Sequence, residues 1–81
     1  MYNGLEIRYS KQALKFLKLQ TRENAERIIY AINALPIGDV KKLKGTDELY
    51  RLRVGDFRII FNKQGHIIFI QKIGSRGDVY K

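Results

Sequence analysis

The chain has 81 residues, of which 44% are hydrophobic and 11% aromatic, which allows one globular domain with a modest core and excludes a disordered tail. Sixteen Lys and Arg against eight Asp and Glu give a formal charge of +8. Such a charge attracts polyanions, which could be nucleic acid, a ribosomal surface, an acidic protein or an anionic membrane. The alternative is that the basic surface only aids solubility. The absence of cysteine excludes disulfides and thiolate metal sites, and a single histidine argues against a transition-metal site, so we expect no cofactor.

The first elements in chain order are a strand and a helix. Apolar and polar residues alternate over residues 5–9, which predicts a short strand with one buried face. Ser10 is expected to cap a helix that runs to about Lys18, because Ala13 and its helical neighbours place apolar groups on one side.

A second helix is predicted to begin after Thr21. Apolar side chains follow at helical spacing over residues 25–35, and Pro36 and Gly38 end the pattern. Since only two residues separate the two helical patterns, the helices are expected to form an antiparallel hairpin.

The second half of the chain changes to the two-residue period of strands. Three strands are predicted, at 49–54, 57–61 and 67–73, with turns at 55–56 and 63–65. Strands joined by such short turns form an antiparallel meander. The segment 36–48, between the helices and the strands, is expected to be a loop with one helical turn at most.

These elements predict a single α+β domain over residues 1–81, in the order β-α-α-β-β-β. Each helix and each strand has one apolar side to bury. The N-terminal strand and the helical hairpin are therefore expected to pack on one face of a small antiparallel sheet.

Arginines from two predicted strands fall on one face of this sheet. If the apolar residues of strand 49–54 pack against the helices, Arg51 and Arg53 project from the opposite face. Arg58 of the next strand lies on that face together with Ile60. Clustered like charges are unfavourable without an anion, and the arginine fork suits phosphate oxygens. The alternative is that each arginine only solvates the open face of a two-layer domain.

The carboxy-terminal segment is expected to bring further functional groups to this face. Gly74 and Gly77 allow the chain to turn back beside the sheet, near the arginines, with Arg76 and Tyr80. Tyr80 offers a stacking plane and a hydroxyl that exchanges a proton, or it only anchors the tail by packing. His66 is expected to be a solvated turn residue.

Four segments of the chain resemble the RelE/ParE toxin superfamily, namely 42–45, 50–61, 73–76 and 79–80. The preceding helical hairpin agrees with the family in length and order, so the resemblance covers the whole chain. It implies a RelE-like fold and, within the superfamily, an mRNA interferase toxin of a type II toxin–antitoxin system.

The resemblance further implies an endoribonuclease that cleaves messenger RNA in the ribosomal A site, where a ribose 2′-hydroxyl attacks the adjacent phosphate. On the family's pattern, Arg58 contacts the scissile phosphate, Arg76 stabilises the transition state or protonates the leaving group, and Tyr80 stacks on, orients or deprotonates the substrate. These three are the implied catalytic residues.

The implied substrate-binding residues are Arg51, Arg53 and Lys44. The two arginines stand where the best-known members of the family carry lysines. Arginine stays protonated at neutral pH, so it can stabilise a developing phosphorane but cannot act as a general base. Tyr80 is then the candidate base.

The resemblance implies a cognate RelB-like antitoxin as partner, with mRNA and the 70S ribosome as targets and DNA contacted only through the antitoxin complex. Two alternatives stay open: a ParE-like toxin that poisons DNA gyrase, and a non-catalytic basic nucleic-acid-binding member. The sequence has no signal-peptide pattern and no apolar run near the roughly 20 residues that span a bilayer. We therefore expect a cytoplasmic protein without a membrane partner.

Overall fold

A computed structural model of the chain describes residues 5–45 and 48–75. These residues form two helices and five strands. In chain order they are β1 (Glu6–Tyr9), α1 (Lys11–Lys18), α2 (Arg22–Asn33), β2 (Asp39–Lys42), β3 (Tyr50–Val54), β4 (Phe57–Gln64) and β5 (Ile67–Ser75). Neither of these helices is long and apolar enough to cross a membrane.

Both helices begin at the predicted residues, because each cap side chain accepts a hydrogen bond from the first turn. Ser10 Oγ accepts from the backbone N–H of Ala13 at 3.1 Å, and Thr21 Oγ1 accepts from that of Asn24 at 3.2 Å. Helix α2 ends at Asn33. Leu35, the last apolar residue of the predicted pattern, is therefore buried from the turn that follows the helix and not from the helix itself.

The five strands form one sheet in the order β1-β5-β4-β3-β2. The predicted antiparallel meander is confirmed for β3, β4 and β5. Strand β1, however, pairs with β5 in parallel. Its register joins Ile7 to Ile68 and Tyr9 to Ile70, so its apolar side continues the buried side of β5. The α+β class is confirmed, but the sheet is mixed, and β1 lies at its edge and not on its face.

The predicted loop at 36–48 contains a strand, and that part of the prediction is wrong. Strand β2 pairs antiparallel with β3, and Val40 lies opposite Leu52 on the buried side. The other residues of β2 are charged and exposed, which is typical of edge strands that resist pairing with another chain.

The core lies between the two helices and one face of the sheet. Its largest fully buried side chains are Ile28, Ile32, Leu35, Leu52, Ile59, Ile68, Ile70 and Ile73. The rings of Phe16 in α1 and Phe57 in β4 meet edge to face, with centroids 6.0 Å apart. The helices therefore cover this face, and we call the other face of the sheet the open face.

Polar groups at the start of α1 continue the hydrogen bonding of β5 where β1 ends. Ser10 donates from its backbone N–H to the Ile70 carbonyl at 2.9 Å and from Oγ to the Gln71 carbonyl at 2.8 Å. The Gln12 amide then donates to the Ile73 carbonyl and accepts from the Ile73 N–H, both at 3.0 Å. These bonds fix the start of α1 to β5, the strand between β1 and β4.

Candidate functional site

The open face of the sheet is strongly cationic. Directly opposed residues on neighbouring strands share a face, so the strand register assigns side chains to it. Among the described residues, those with charge on this face are the cations Arg8, Lys41, Arg51, Arg53, Arg58 and Lys72 and the carboxylates Glu6 and Asp39. Six cations against two carboxylates leave this face with an excess of positive charge, which attracts polyanions.

Arg53 and Arg58 are directly opposed by register, as are the cations Lys41 and Arg51. Arg53 on β3 lies directly opposite Arg58 on β4. On its other side, Arg58 lies opposite the buried Gly74 of β5. The turn between β3 and β4 is tight because Gly55 adopts a φ of 58°. Arg58 Nη1 donates to the carbonyls of Gly55 and Phe57, both at 3.2 Å, which holds its guanidinium beside this turn.

Arg51 differs from the other two arginines because it is buried. It lies two residues before Arg53 on the same face, as the sequence predicts, and the register places it directly opposite Ile60. Only 11% of its side chain is exposed, and its Nη2 donates to Asp39 Oδ1 on β2 at 3.4 Å. The prediction that it shares a face with Arg53 and Arg58 is confirmed, whereas its burial and its carboxylate partner were not predicted.

A shallow hollow of about 630 Å³ lies farther along the open face. Its polar lining includes Arg8, Asn62 and Gln71, and its aromatic residues are Tyr9 and Phe69. Strand β5 has an irregularity here, because Ile60 pairs with Lys72 while Phe61 pairs with Ile70, which leaves Gln71 as an extra residue. The sequence analysis missed this group, although Phe69 alternates with the buried Ile68 and Ile70.

Lys44 lies apart from the arginines. It occupies the turn after β2, at the end of the sheet opposite the β3–β4 turn that holds Arg58. Arg76 and Tyr80 lie outside the described residues, so their predicted positions near the arginines stay predictions. His66 is exposed in the β4–β5 turn, as expected.

The sequence model of the family described as ParE toxin of the type II toxin–antitoxin system, parDE, matches residues 7–80. The chain belongs to the RelE/ParE toxin superfamily. Among curated members it is 36% identical over 84 residues to RelE1 of Methanocaldococcus jannaschii, with 93% of each chain covered. The resemblance stated from the sequence is confirmed.

Solved structures of superfamily members share this fold. The toxin in the archaeal RelE–RelB complex from Pyrococcus horikoshii OT3 is 30% identical, with a TM-score of 0.75 and coverage of 93% of this chain and 98% of that one. YafQ of Escherichia coli is 18% identical, with a TM-score of 0.73 and coverage of 95% and 99%, and it supports the fold alone. The chain is thus a RelE-like toxin of a type II toxin–antitoxin system, and relatives are solved in complex with their antitoxins.

Proposed function

We propose that this toxin is an endoribonuclease that cuts messenger RNA on its open face. The observation that carries the proposal is the direct opposition of Arg53 and Arg58 on neighbouring strands. Within the described residues neither guanidinium has a carboxylate partner, in contrast to Arg51 and Arg8, which do. Asp39 lies opposite Arg53 by register but is bonded to Arg51. Two opposed guanidiniums with no bonded carboxylate among the described residues suit the oxygens of one phosphodiester.

The chemistry follows from where charge develops. Attack of the ribose 2′-hydroxyl on the adjacent phosphorus builds a dianionic phosphorane, which expels the 5′-oxygen and leaves a cyclic phosphate and a free 5′-hydroxyl. Guanidiniums fixed before the reaction stabilise that charge more than they stabilise the ground state. Arg58 is suited to this role because its two backbone hydrogen bonds hold it in place.

The remaining site residues have supporting roles in this proposal. Arg51 and Arg53 bind flanking phosphate, and Lys44 contributes charge at the far end of the sheet. Arg76 is proposed to protonate the leaving oxygen or stabilise the phosphorane, and Tyr80 to orient or deprotonate the 2′-hydroxyl. Even without an efficient base, positioning and charge stabilisation contribute much of the rate.

The proposed target is mRNA in the A site of the translating 70S ribosome, and the proposed inhibitor is a RelB-like antitoxin. The similarity to toxins whose structures are solved in complex with RelB supports the proposed inhibitor. A positive surface suits an antitoxin with an acidic segment. DNA is expected to be contacted only by the toxin–antitoxin complex.

The test compares Arg58→Ala with Arg22→Ala, which removes the same charge from the helical side, where Arg22 is 91% exposed. Primer extension on a translating message, with and without ribosomes, maps the cuts. We expect the parent and Arg22→Ala to cut only with ribosomes, and Arg58→Ala to lose at least about a hundredfold in cleavage rate while staying folded. Equal cutting by all three proteins would show that the site is wrong.

A gyrase-poisoning toxin is the second candidate, because the matching family model is that of ParE toxins. The arginine pair on the open face favours the nuclease, since a gyrase poison has no phosphodiester of RNA to stabilise. DNA damage in cells whose messengers stay intact would decide for gyrase. Salt-sensitive RNA binding without cleavage would instead favour a non-catalytic member.

A further inference from the structure

Phe69 lies on the open face and not in the core. By register it is directly opposite Arg8 of β1 on one side and Asn62 of β4 on the other. Its neighbours along β5, Ile68 and Ile70, are buried under the helices, while Phe69 itself is half-buried and lines the hollow. Phe69 therefore presents part of an aromatic ring between an arginine and an amide.

The irregularity of β5 brings a second amide to this ring. As the extra residue of the bulge, Gln71 reaches the open face, and its Nε2 donates to Asn62 Oδ1 at 2.5 Å. The bond fixes the two amides against each other. Within residues 5–45 and 48–75 it is their single side-chain hydrogen bond, so Asn62 Nδ2 keeps its two donors and Gln71 Oε1 keeps its acceptor positions.

Arg8 closes the other side of the hollow. Its Nε donates to Glu6, and 58% of its side chain is exposed. Within the described residues its two other guanidinium nitrogens donate no hydrogen bond. The hollow thus offers a π face, a planar cation, and an amide donor next to an amide acceptor. A nucleobase presents the matching set, since it has a π face for stacking and donors and acceptors along its edge.

We propose that the hollow around Phe69 binds one unpaired base of the RNA strand whose phosphate the arginine pair holds. The inference rests on the proposed function and adds a subsite to it. Along β4, Asn62 lies four residues beyond Arg58 on the same face, which places the subsite about 13 Å from the arginine pair. An extended strand of RNA therefore crosses the open face from the arginine pair to Phe69.

The experiment measures binding of a labelled single-stranded RNA by fluorescence anisotropy at low salt. Phe69→Leu removes the π face but keeps an apolar side chain, and Phe69→Tyr restores the ring. Tyr30→Leu is the matched control, because Tyr30 is 79% exposed on α2, on the helical side. We expect Phe69→Leu to weaken binding about tenfold, and Phe69→Tyr and Tyr30→Leu to bind like the parent.

A set of RNAs, each abasic at one position, makes the test specific to a base. At one abasic position, the affinity of the parent protein for RNA is expected to fall about tenfold. The affinity of Phe69→Leu should not change at that position, because this variant has already lost the contact with the base. If Phe69→Leu and the parent bind alike, or if every abasic RNA affects both equally, the subsite is wrong. Loss of cleavage in Arg58→Ala is measured separately, so the nuclease proposal and the base subsite fail independently.

Discussion

The three arginines of β3 and β4 have different surroundings, although they share the open face. Arg51 is buried and bonded to Asp39, whereas Arg53 is exposed and Arg58 is bonded to backbone carbonyls. Burial strengthens the need for a charge partner, because the guanidinium has lost most of its water. Arg51 therefore depends on Asp39 for stability, while Arg53 and Arg58 have no bonded carboxylate in the part of the chain that the structure describes.

Asp39→Asn tests this dependence at the level of one residue. We expect a loss of about 1–2 kcal/mol in the free energy of unfolding, because the buried guanidinium keeps only a neutral partner. The control is Glu26→Gln, which breaks the exposed ion pair with Arg22 and should cost less than about 0.5 kcal/mol. Urea denaturation measures both. If Asp39→Asn and Glu26→Gln lower the free energy of unfolding by the same small amount, Arg51 is hydrated in solution and does not depend on Asp39.

Tyr9 provides a prediction about alkaline pH. Burial raises the pKa of the Tyr9 hydroxyl above its ordinary value, because desolvation penalises the phenolate. The unfolded chain then loses this proton first, so the free energy of unfolding falls as pH rises from about 10 through the raised pKa. Tyr9→Phe should show a shallower fall over that window. Identical pH profiles of the two proteins, measured by urea denaturation, would contradict the prediction.

At the scale of elements, the junction of α1 with β5 depends on one side chain. Gln12 makes two hydrogen bonds with the backbone of Ile73, and Gln12→Ala leaves both backbone groups without them. We expect a loss of about 1–3 kcal/mol. Lys15→Ala, an exposed change in the same helix, should stay within about 0.5 kcal/mol. Thermal unfolding of the three proteins checks this, and equal melting temperatures would show that water replaces the amide.

The elements that local pattern determines were predicted, and those that depend on distant pairing were not. Ser10 and Thr21 cap the helices as expected, because an N-cap needs only the next few residues. The residues of β2 have weak strand propensity, so this strand forms through its pairing with β3. The parallel pairing of β1 with β5 joins residues about sixty positions apart, which no local pattern specifies.

The same distinction applies to the site. Period-two geometry and a short turn were enough to place Arg51, Arg53 and Arg58 on one face. The hollow at Phe69 was missed because it needs the register of β5 against both neighbours and the bulge that presents Gln71. A bulge changes which residues share a face without an obvious mark in the sequence.

At the scale of the whole molecule, the positive charge is spread over both sides of the sheet. The open face carries six cations from all five strands and two carboxylates, and the other described residues carry eight cations and four carboxylates. Charge at a contact and charge elsewhere act differently on RNA binding. A contact releases counterions when it forms, so it contributes to the salt dependence of the affinity, whereas remote charge mainly speeds encounter.

The slope of log affinity against log salt concentration separates the two kinds of charge. Each phosphate contact with single-stranded RNA contributes about 0.7 to the slope, so Arg53→Ala should flatten it by about that amount. Arg22→Ala lowers the net charge equally but lies on the helical side, and its slope should match that of the parent. Anisotropy titrations of one RNA at several salt concentrations give all three slopes. If both variants flatten the slope equally, the binding depends on net charge and not on the open face.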